Sequence, residues 1–420
     1  MEYIKLFDNH AQYEAFIGGG GMLRPNVSHC IQENEVHYNP KGWKYEYFQF
    51  ESLEDDNTIY FKSEYDDSFA RTISVSTDNG ATWTEYTSSN AESGTAIATL
   101  NTGGVALLKG ENDDYSDAQS WNHNHFNATK QFNVQGNIMS LFHGDSFKTN
   151  ESIEGKNILL IELFSDCETL VNAKNLRLPA TTLATSSYSS MFSGCINLIT
   201  APELPATTLA SNCYSYMFNG CTSLTAAPEL PATTLENFCY QYMFSGCTSL
   251  TAAPELPATT LAQSCYNSMF QNCTNLTVAP ELPATTLAEG CYMHMFQGCT
   301  SLTTAPELLA TELERRCYQY MFSGCTSLTT APELPALTLV GGAFGATQWY
   351  YGCYVRMFYG CTSLNYIKAM FTTTPSTIYT SNWVDGVAAT GTFVKNAAAQ
   401  WNVTGVDGIP TGWTVETVTA

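Results

Sequence analysis

The sequence predicts a mixed α/β repeat protein, in which a solenoid of about eight 26-residue coils follows a small β-sandwich-like domain and an N-terminal arm. Three observations lead to this fold class. Met-Phe pairs recur every 26 residues from Met191 to Met321, fourteen of the fifteen cysteines fall into two columns of the same period, and short strand patterns precede the repeats. Self-similarity at a period of about 20 to 50 residues is typical of stacked supersecondary units.

The N-terminal part of the chain carries little periodicity. It contains Gly18-Gly19-Gly20-Gly21, which is not followed by Lys-Ser or Lys-Thr and therefore does not predict a phosphate-binding loop. We interpret residues 1–42 as an arm or attachment segment.

Residues 43–150 have the pattern of short strands separated by turns. Asp78-Asn79-Gly80 is a strong hairpin signal between two strand-like segments, 72–76 and 82–84. Several short strands at regular spacing indicate a small β-sandwich. The repeats are expected over 151–365, and a β-rich cap over 366–420.

The first half of each repeat unit has an apolar spacing of four residues. In one unit this spacing joins Leu209, Cys213, Met217 and Cys221, and Gly220 stands where a helix end favours a left-handed residue. The pattern predicts a short amphipathic helix.

The second half of the unit is short and rich in Thr and Ala. Segment 222–227 is long enough for one strand of a parallel stack, Pro228 ends it for lack of an N–H, and Pro231 turns the chain toward the next unit. Each unit is therefore predicted to contain a strand, a turn and a helix.

The cysteine columns are interpreted as core packing, because free cysteine behaves as a small buried hydrophobe. Metal binding is not predicted, since Cys-x2-Cys pairs and companion histidines are missing. Disulfide formation along a column in an oxidising medium stays open.

The unit Cys213-Tyr214-Ser215-Tyr216-Met217-Phe218-Asn219-Gly220-Cys221 with its Ala-Pro-Glu-Leu-Pro-Ala-Thr-Thr-Leu continuation resembles the BspA-type leucine-rich repeats of gut Bacteroidales and their crAss-like phages. The resemblance covers 163–365 and extends into the tail at 381–387 and 408–415, which resembles the segment that closes such arrays. It implies a leucine-rich-repeat solenoid and a role in adhesion, without specifying one partner.

The charge balance limits the partners. The chain has 17 basic and 39 acidic residues, a net charge of −22, so we expect it not to bind nucleic acid. No apolar run reaches the roughly 18 residues of a spanning helix, so no membrane insertion is predicted. No catalytic motif emerges, and we therefore predict neither an enzyme nor a cofactor.

Two candidate binding sites follow from the repeats. One is a column of glutamates at the same position of successive units; these carboxylates either accept backbone N–H bonds in the Pro-Glu-Leu-Pro turn or form a cation-binding or partner-docking stripe. The column consists of Glu203, Glu229, Glu255, Glu281, Glu307 and Glu333.

The other candidate site is a ten-residue insertion before the last unit. It contains Trp349, Tyr350 and Tyr351, which either stack on sugar rings or fold back over the repeats. His123 and His125 share a face if they lie on a strand, but no further ligand is visible and no metal site is predicted.

The start of the chain has no basic segment followed by an apolar one. With the resemblance, this leads us to expect a phage virion protein made in the host cytoplasm: a head fibre, capsid decoration or tail-associated protein. It would bind other virion proteins through its N-terminal region and host glycan, mucus or receptor through its repeats, as a homo-oligomer such as a trimer. The alternatives are a bacterial cell-surface adhesin and the repeat module of a carbohydrate-active enzyme.

Overall fold

The protein is built mostly from β-structure, with only short helical segments in the part of the chain that the structure describes. The structure, a computed structural model, describes residues 6–7, 30–33, 36–38, 46–116, 122–149, 160–344 and 349–419. The glycine run Gly18–Gly21 lies outside these ranges. In the N-terminal segment, β1 (Leu6–Phe7) pairs in parallel with β2 (Cys30–Glu33), and β2 pairs antiparallel with β3 (Val36–Tyr38).

Eight strands form the β-rich domain. They are β4 (Phe48–Ser52), β5 (Asn57–Ser63), β6 (Thr72–Ser76), β7 (Thr84–Thr87), β8 (Thr95–Leu100), β9 (Val105–Lys109), β10 (Asn124–Ala128) and β11 (Phe132–Asn137). One sheet has the order β10-β5-β8, and the other runs β11-β4-β9-β6-β7. The predicted hairpin is present, because β6 and β7 pair antiparallel on either side of Asp78.

The two sheets share an aromatic core. Phe50 of β4 meets Phe126 of β10 edge to face at 5.2 Å between ring centroids, and Phe126 stacks on Phe61 of β5 at 4.7 Å. All three rings are fully buried. This packing follows from strands in which every second residue is buried, as in β5.

The last strand of this domain leads directly into the repeats. The short helix α1 (Ser140–His143) and a 3-10 helix (Gly144–Lys148) follow β11. β11 also pairs in parallel with β12 (Leu170–Asn172) and β13 (Leu176–Arg177) of the first repeat unit. One continuous hydrophobic core therefore extends from the β-rich domain through the repeats.

The prediction of a helix in each repeat unit is wrong. The segment that was expected to be helical forms a ribbon of overlapping turns. The amide of Cys213 donates to the carbonyl of Ala210, three residues earlier, at 3.2 Å. The next amide, of Tyr214, instead donates to Cys239 in the following unit at 3.0 Å. This alternation continues along the segment, which we call the turn ribbon, so half of its amides join neighbouring units.

The backbone of the turn ribbon explains why the sequence resembled a helix. Every fourth residue has a left-handed φ, 59° at Asn212, 58° at Tyr216 and 73° at Gly220. The ribbon therefore repeats its direction every four residues, close to the 3.6 of a helix, and places the same residues on one face. The mixed α/β class is corrected to a mostly β protein.

Between the first unit, which contains β12 and β13, and the last unit, the predicted strand is reduced to isolated bridge positions. Thr200 pairs in parallel with Ala226 and Ala252 with Val278, each pair being one unit apart. Such a bridge places neighbouring units about 4.8 Å apart.

The interior of the repeat region consists of columns of identical side chains. Phe218 and Phe244 stack with their rings within 4° of parallel and 5.6 Å between centroids. The tyrosine column beside them repeats at 5.8 to 6.0 Å. The cysteines are free and buried, as the packing interpretation predicts, and Cys221 Sγ donates to the carbonyl of Phe192 at 3.1 Å.

The C-terminal segment is rich in β-structure, as expected of a cap. Its elements are β14 (Ala343–Phe344), β15 (Trp349–Tyr350), β16 (Tyr366–Ala369), α2 (Thr377–Thr380), β17 (Thr392–Asn396) and β18 (Thr414–Val418). Strands β16, β17 and β18 form a parallel sheet. A further turn ribbon precedes β17, because Gly360 donates to Asp385 at 2.7 Å and Phe358 to Trp383 at 2.8 Å. None of the helices that the structure describes has the length and apolar character to cross a membrane.

The buried tyrosine column gives a first testable prediction. The hydroxyls of Tyr240 and Tyr292 are buried with no hydrogen-bond partner among the described residues. Because an unsatisfied buried hydroxyl costs about 1–3 kcal/mol, Tyr240→Phe and Tyr292→Phe are each expected to leave stability unchanged or raise it by about 1 kcal/mol. Urea unfolding monitored by circular dichroism measures this change.

Tyr115 provides the matched control. Its equally buried hydroxyl donates to Leu141 at 3.0 Å and accepts from Asn112 at 2.9 Å. Tyr115→Phe is therefore expected to lower stability by about 1 kcal/mol. Equal destabilisation by all three substitutions would contradict the assignment.

Candidate functional site

The outer face of the turn ribbons varies from unit to unit while the inner face does not. Cys, Tyr, Met, Phe and Cys recur at the inner positions. The residue immediately before the Met of each Met-Phe pair, by contrast, changes from unit to unit. We call this position the variable column. It holds Ser190, Tyr216, Tyr242, Ser268, His294, Tyr320 and Arg356.

Aromatic residues in the variable column stack in pairs. Tyr216 and Tyr242 lie 4.7 Å apart between centroids with an 8° interplanar angle, and His294 lies 4.5 Å from Tyr320. Arg356 Nη1 donates to Tyr320 Oη at 2.9 Å. Tyr216 is 37% exposed, so part of its ring surface faces solvent.

The column also has polar partners close to the rings. The Nδ1 atom of His294 lies 2.6 Å from Gln297 Oε1, which also accepts from Gln271 Nε2 at 2.7 Å. Burial lowers the pKa of His294, so the ring is neutral at physiological pH. Flat ring faces beside amides suit a ligand with apolar faces and hydroxyl edges.

The variable column was not predicted from the sequence. The signal was available in the repeats, because aligning the units by their Met-Phe pairs shows which positions change.

The predicted glutamate column lies on the surface. Glu203, Glu229, Glu255, Glu281, Glu307 and Glu333 are all exposed. Within the described ranges, Glu333 is the member with a side-chain partner, Lys368 Nζ at 2.9 Å. Among the described residues no backbone N–H donates to these carboxylates. The backbone-bonded interpretation and the cation-binding or docking interpretation both remain predictions.

The predicted aromatic insertion is described in part. Trp349 and Tyr350 are the two residues of β15, which pairs with β14. The structure describes their backbone and not their side chains. Tyr351 is half-buried, and the guanidinium carbon of Arg316 lies 3.7 Å above its ring. At Tyr351, the contact agrees with a ring that folds back on the preceding repeat unit.

The predicted histidine pair does share one face, and the structure adds a carboxylate to it. His123 and His125 lie 5.5 Å apart between ring centroids, and His125 Nδ1 lies 3.5 Å from Glu64 Oε2. Burial, and then the neighbouring His123, lower the pKa of His125 to about 4, so its ring is neutral near pH 7. Glu64 was not predicted from the sequence because 58 residues lie between it and His123.

These three features, the variable column, the glutamate column and the Glu64 cluster, are the candidate sites of the described chain. Comparisons with known protein families, with curated proteins and with solved structures find no match.

Proposed function

We propose that the chain is a non-enzymatic recognition protein whose repeats form a solenoid of the BspA-type leucine-rich-repeat kind and present the variable column to a glycan or protein on a host surface. The observation that carries this proposal is the contrast between the two faces of the turn ribbon. The inner side chains are the same in successive units, whereas the residue of the variable column differs. Tyr216 is exposed, Ser268 is buried, and the other members of the column are half-buried. A constant core with a changing surface is the arrangement by which repeat proteins vary their binding specificity.

The chemistry of the surface favours a neutral glycan. Tyr216 and Tyr242 cover each other's inner ring faces, so each ring has its outer face left to stack on an apolar sugar face. The Gln271 and Gln297 amides supply hydrogen bonds to sugar hydroxyls. The net charge of −22 disfavours polyanionic ligands. A basic protein surface docking on the glutamate column is the second candidate, supported by the exposure of its six carboxylates.

The proposal includes a place on a phage virion, with the N-terminal region bound to other virion proteins. Its support is the resemblance of the repeats to those of gut Bacteroidales phages. The alternative is a bacterial surface adhesin with the same recognition surface. Mass spectrometry of purified virions distinguishes the two, because a protein that is absent from the particles is not a virion component.

Binding to host glycans tests the recognition function. Double substitution Tyr216→Ala, Tyr242→Ala is expected to weaken binding to a host mucin or glycan array at least about tenfold, since each aromatic contact contributes about 0.5–1.5 kcal/mol. Tyr65→Ala is the control, because Tyr65 is 63% exposed but lies in the β-rich domain.

The double substitution Trp349→Ala, Tyr350→Ala tests the insertion in the same glycan-binding experiment. Loss of binding in this variant alone would move the site from the variable column to the insertion. Wild-type binding in every variant, or no binding by the wild-type protein, would contradict glycan recognition at either place.

A further inference from the structure

Glu64, His123 and His125 present one carboxylate oxygen and two imidazole nitrogens that all lie within 4.8 Å of one another. We propose that these three side chains bind a Zn²⁺ ion at the junction of the β-rich domain and the first repeat unit. Two imidazoles and one carboxylate form a ligand set that suits zinc and leave a fourth position for water. This site is independent of the proposed recognition function.

The register of two strands brings the ligands together. β5 and β10 pair antiparallel with His125 opposite Lys62, and the Glu64 amide donates to the carbonyl of His123 at 3.0 Å. Since alternate residues of a strand share a face, Glu64 and the two histidines project from the same side of this ladder. The strand pairing thus fixes the backbone of all three ligands before any metal binds.

The distances are compatible with a zinc centre after a small adjustment. Bonds of about 2.0–2.1 Å in a tetrahedron separate the ligand atoms by about 3.4 Å. His125 Nδ1 and Glu64 Oε2 are already 3.5 Å apart. The His125 Nδ1 atom is buried and makes no hydrogen bond with the described residues, so coordination would satisfy a polar atom that burial otherwise leaves unsatisfied.

A second carboxylate supports the ring of His123. Glu162 Oε2, from the first repeat unit, lies 3.1 Å from His123 Nε2. Metal-ligating histidines commonly hold a carboxylate at the other ring nitrogen, which orients the ring and increases its basicity. Because Glu162 belongs to the repeats and Glu64 to the β-rich domain, an ion here would link the two regions.

One cation already competes for this site. Lys62 Nζ donates to Glu64 Oε2 at 2.9 Å, the same oxygen that faces His125. Zinc binding would displace the ammonium group from that oxygen. Removal of the ammonium should therefore strengthen metal binding, whereas removal of a ligand should weaken it.

Titration of the full-length, chelator-stripped protein with Zn²⁺ in a calorimeter tests the proposal. We expect one bound equivalent and a zinc-dependent rise of the melting temperature. Glu64→Gln, His123→Ala and His125→Ala are each expected to weaken binding by about 100-fold or more, and Glu162→Gln by about tenfold. Cobalt(II) in place of zinc should give the intense visible absorption of a tetrahedral ion.

His294→Ala is the matched control, because this histidine lies in the repeats and should leave zinc affinity unchanged. Where a histidine variant does not fold, Glu64→Gln and Lys62→Met decide, since they are expected to change affinity in opposite directions. No zinc binding by the wild-type protein, or wild-type affinity in Glu64→Gln, would overturn the proposal.

Discussion

Raising the pH from 8 to about 10 is expected to unfold the repeat region. Fourteen buried cysteines lie in the described chain, and burial raises their pKa above the ordinary value of 9.0, to about 11 for Cys167 and to about 12 for Cys213 and Cys265. The folded thiols therefore keep their protons at a pH where unfolded thiols lose them.

The direction of the effect follows from this difference. Above pH 9 the unfolded chain releases protons that the folded chain retains, so stability falls as pH rises. Each thiol contributes a loss of about 1.4 kcal/mol per pH unit between its unfolded and folded pKa. With fourteen thiols, the combined loss near pH 10 exceeds the ~5–15 kcal/mol by which domains are ordinarily stable. The buried tyrosines, whose pKa values burial also raises, add to the loss above pH 10.

Circular dichroism and tyrosine absorbance across pH 7–11, under reducing conditions, measure this transition. Cys239→Ala is the informative variant, because its destabilisation at pH 7 should shrink by about 1.4 kcal/mol at pH 10, where the wild-type thiol is itself a liability. Ser215→Ala is the control, because Ser215 lies in the turn ribbon next to that of Cys239 and its substitution removes no thiol. The destabilisation by Ser215→Ala should show no such pH dependence. A repeat region that remains folded at pH 10.5 would contradict the buried thiol columns.

Removing one ring from the middle of the phenylalanine column is expected to destabilise the protein strongly. Phe244 is fully buried and stacks on Phe218 at 5.6 Å and on Phe270 at 5.8 Å. Phe244→Ala leaves a cavity between two rings that the hydrogen-bonded ribbons hold in place, so little collapse can occur. We expect a loss of about 3–5 kcal/mol.

The same substitution is expected to divide the unfolding transition. Repeat proteins owe their cooperativity to contacts between nearest neighbours, and a weakened contact allows the two sides to unfold separately. Calorimetry should therefore show a broadened or double transition. Tyr242→Ala, two positions away on the outer face of the same ribbon, is the control and should cost no more than about 1 kcal/mol. Equal effects of the two substitutions would contradict the division into inner and outer faces.

The sequence predicted the repeat period, the buried cysteines and the hairpin at Asp78, because each is encoded by residues near one another or by simple repetition. It failed at the backbone of the turn ribbon. Leu209, Cys213 and Met217 are spaced by four, and this spacing does not distinguish a helix from a ribbon whose every fourth residue is left-handed. Hydrogen bonds between units decide between the two, and single-unit patterns do not contain them.

The candidate sites show the same limit. His123 and His125 were found together because one residue separates them, whereas Glu64 joins them only through the pairing of β5 with β10. The glutamate column was predicted from its period, but the absence of described backbone partners for carboxylates such as Glu229 depends on local loop geometry. Contacts between distant segments are the part that the sequence left undetermined.

The alternating hydrogen bonds of the turn ribbons also give the stack an electrical polarity. The turn-ribbon amides that leave their unit donate toward the C-terminal end, as Tyr214 does to Cys239, whereas loop amides such as Ser223 donate to the preceding unit. The dipoles of the bonds that join successive ribbons therefore share one direction. At the N-terminal end the Phe126 amide meets the carbonyl of Leu163 at 2.9 Å. At the other end the carboxylate of Asp407 accepts the amide of Asn382 at 2.6 Å, where a negative charge is favourable. The chain itself thus supplies a hydrogen-bond partner for a backbone group at each end of the stacked ribbons.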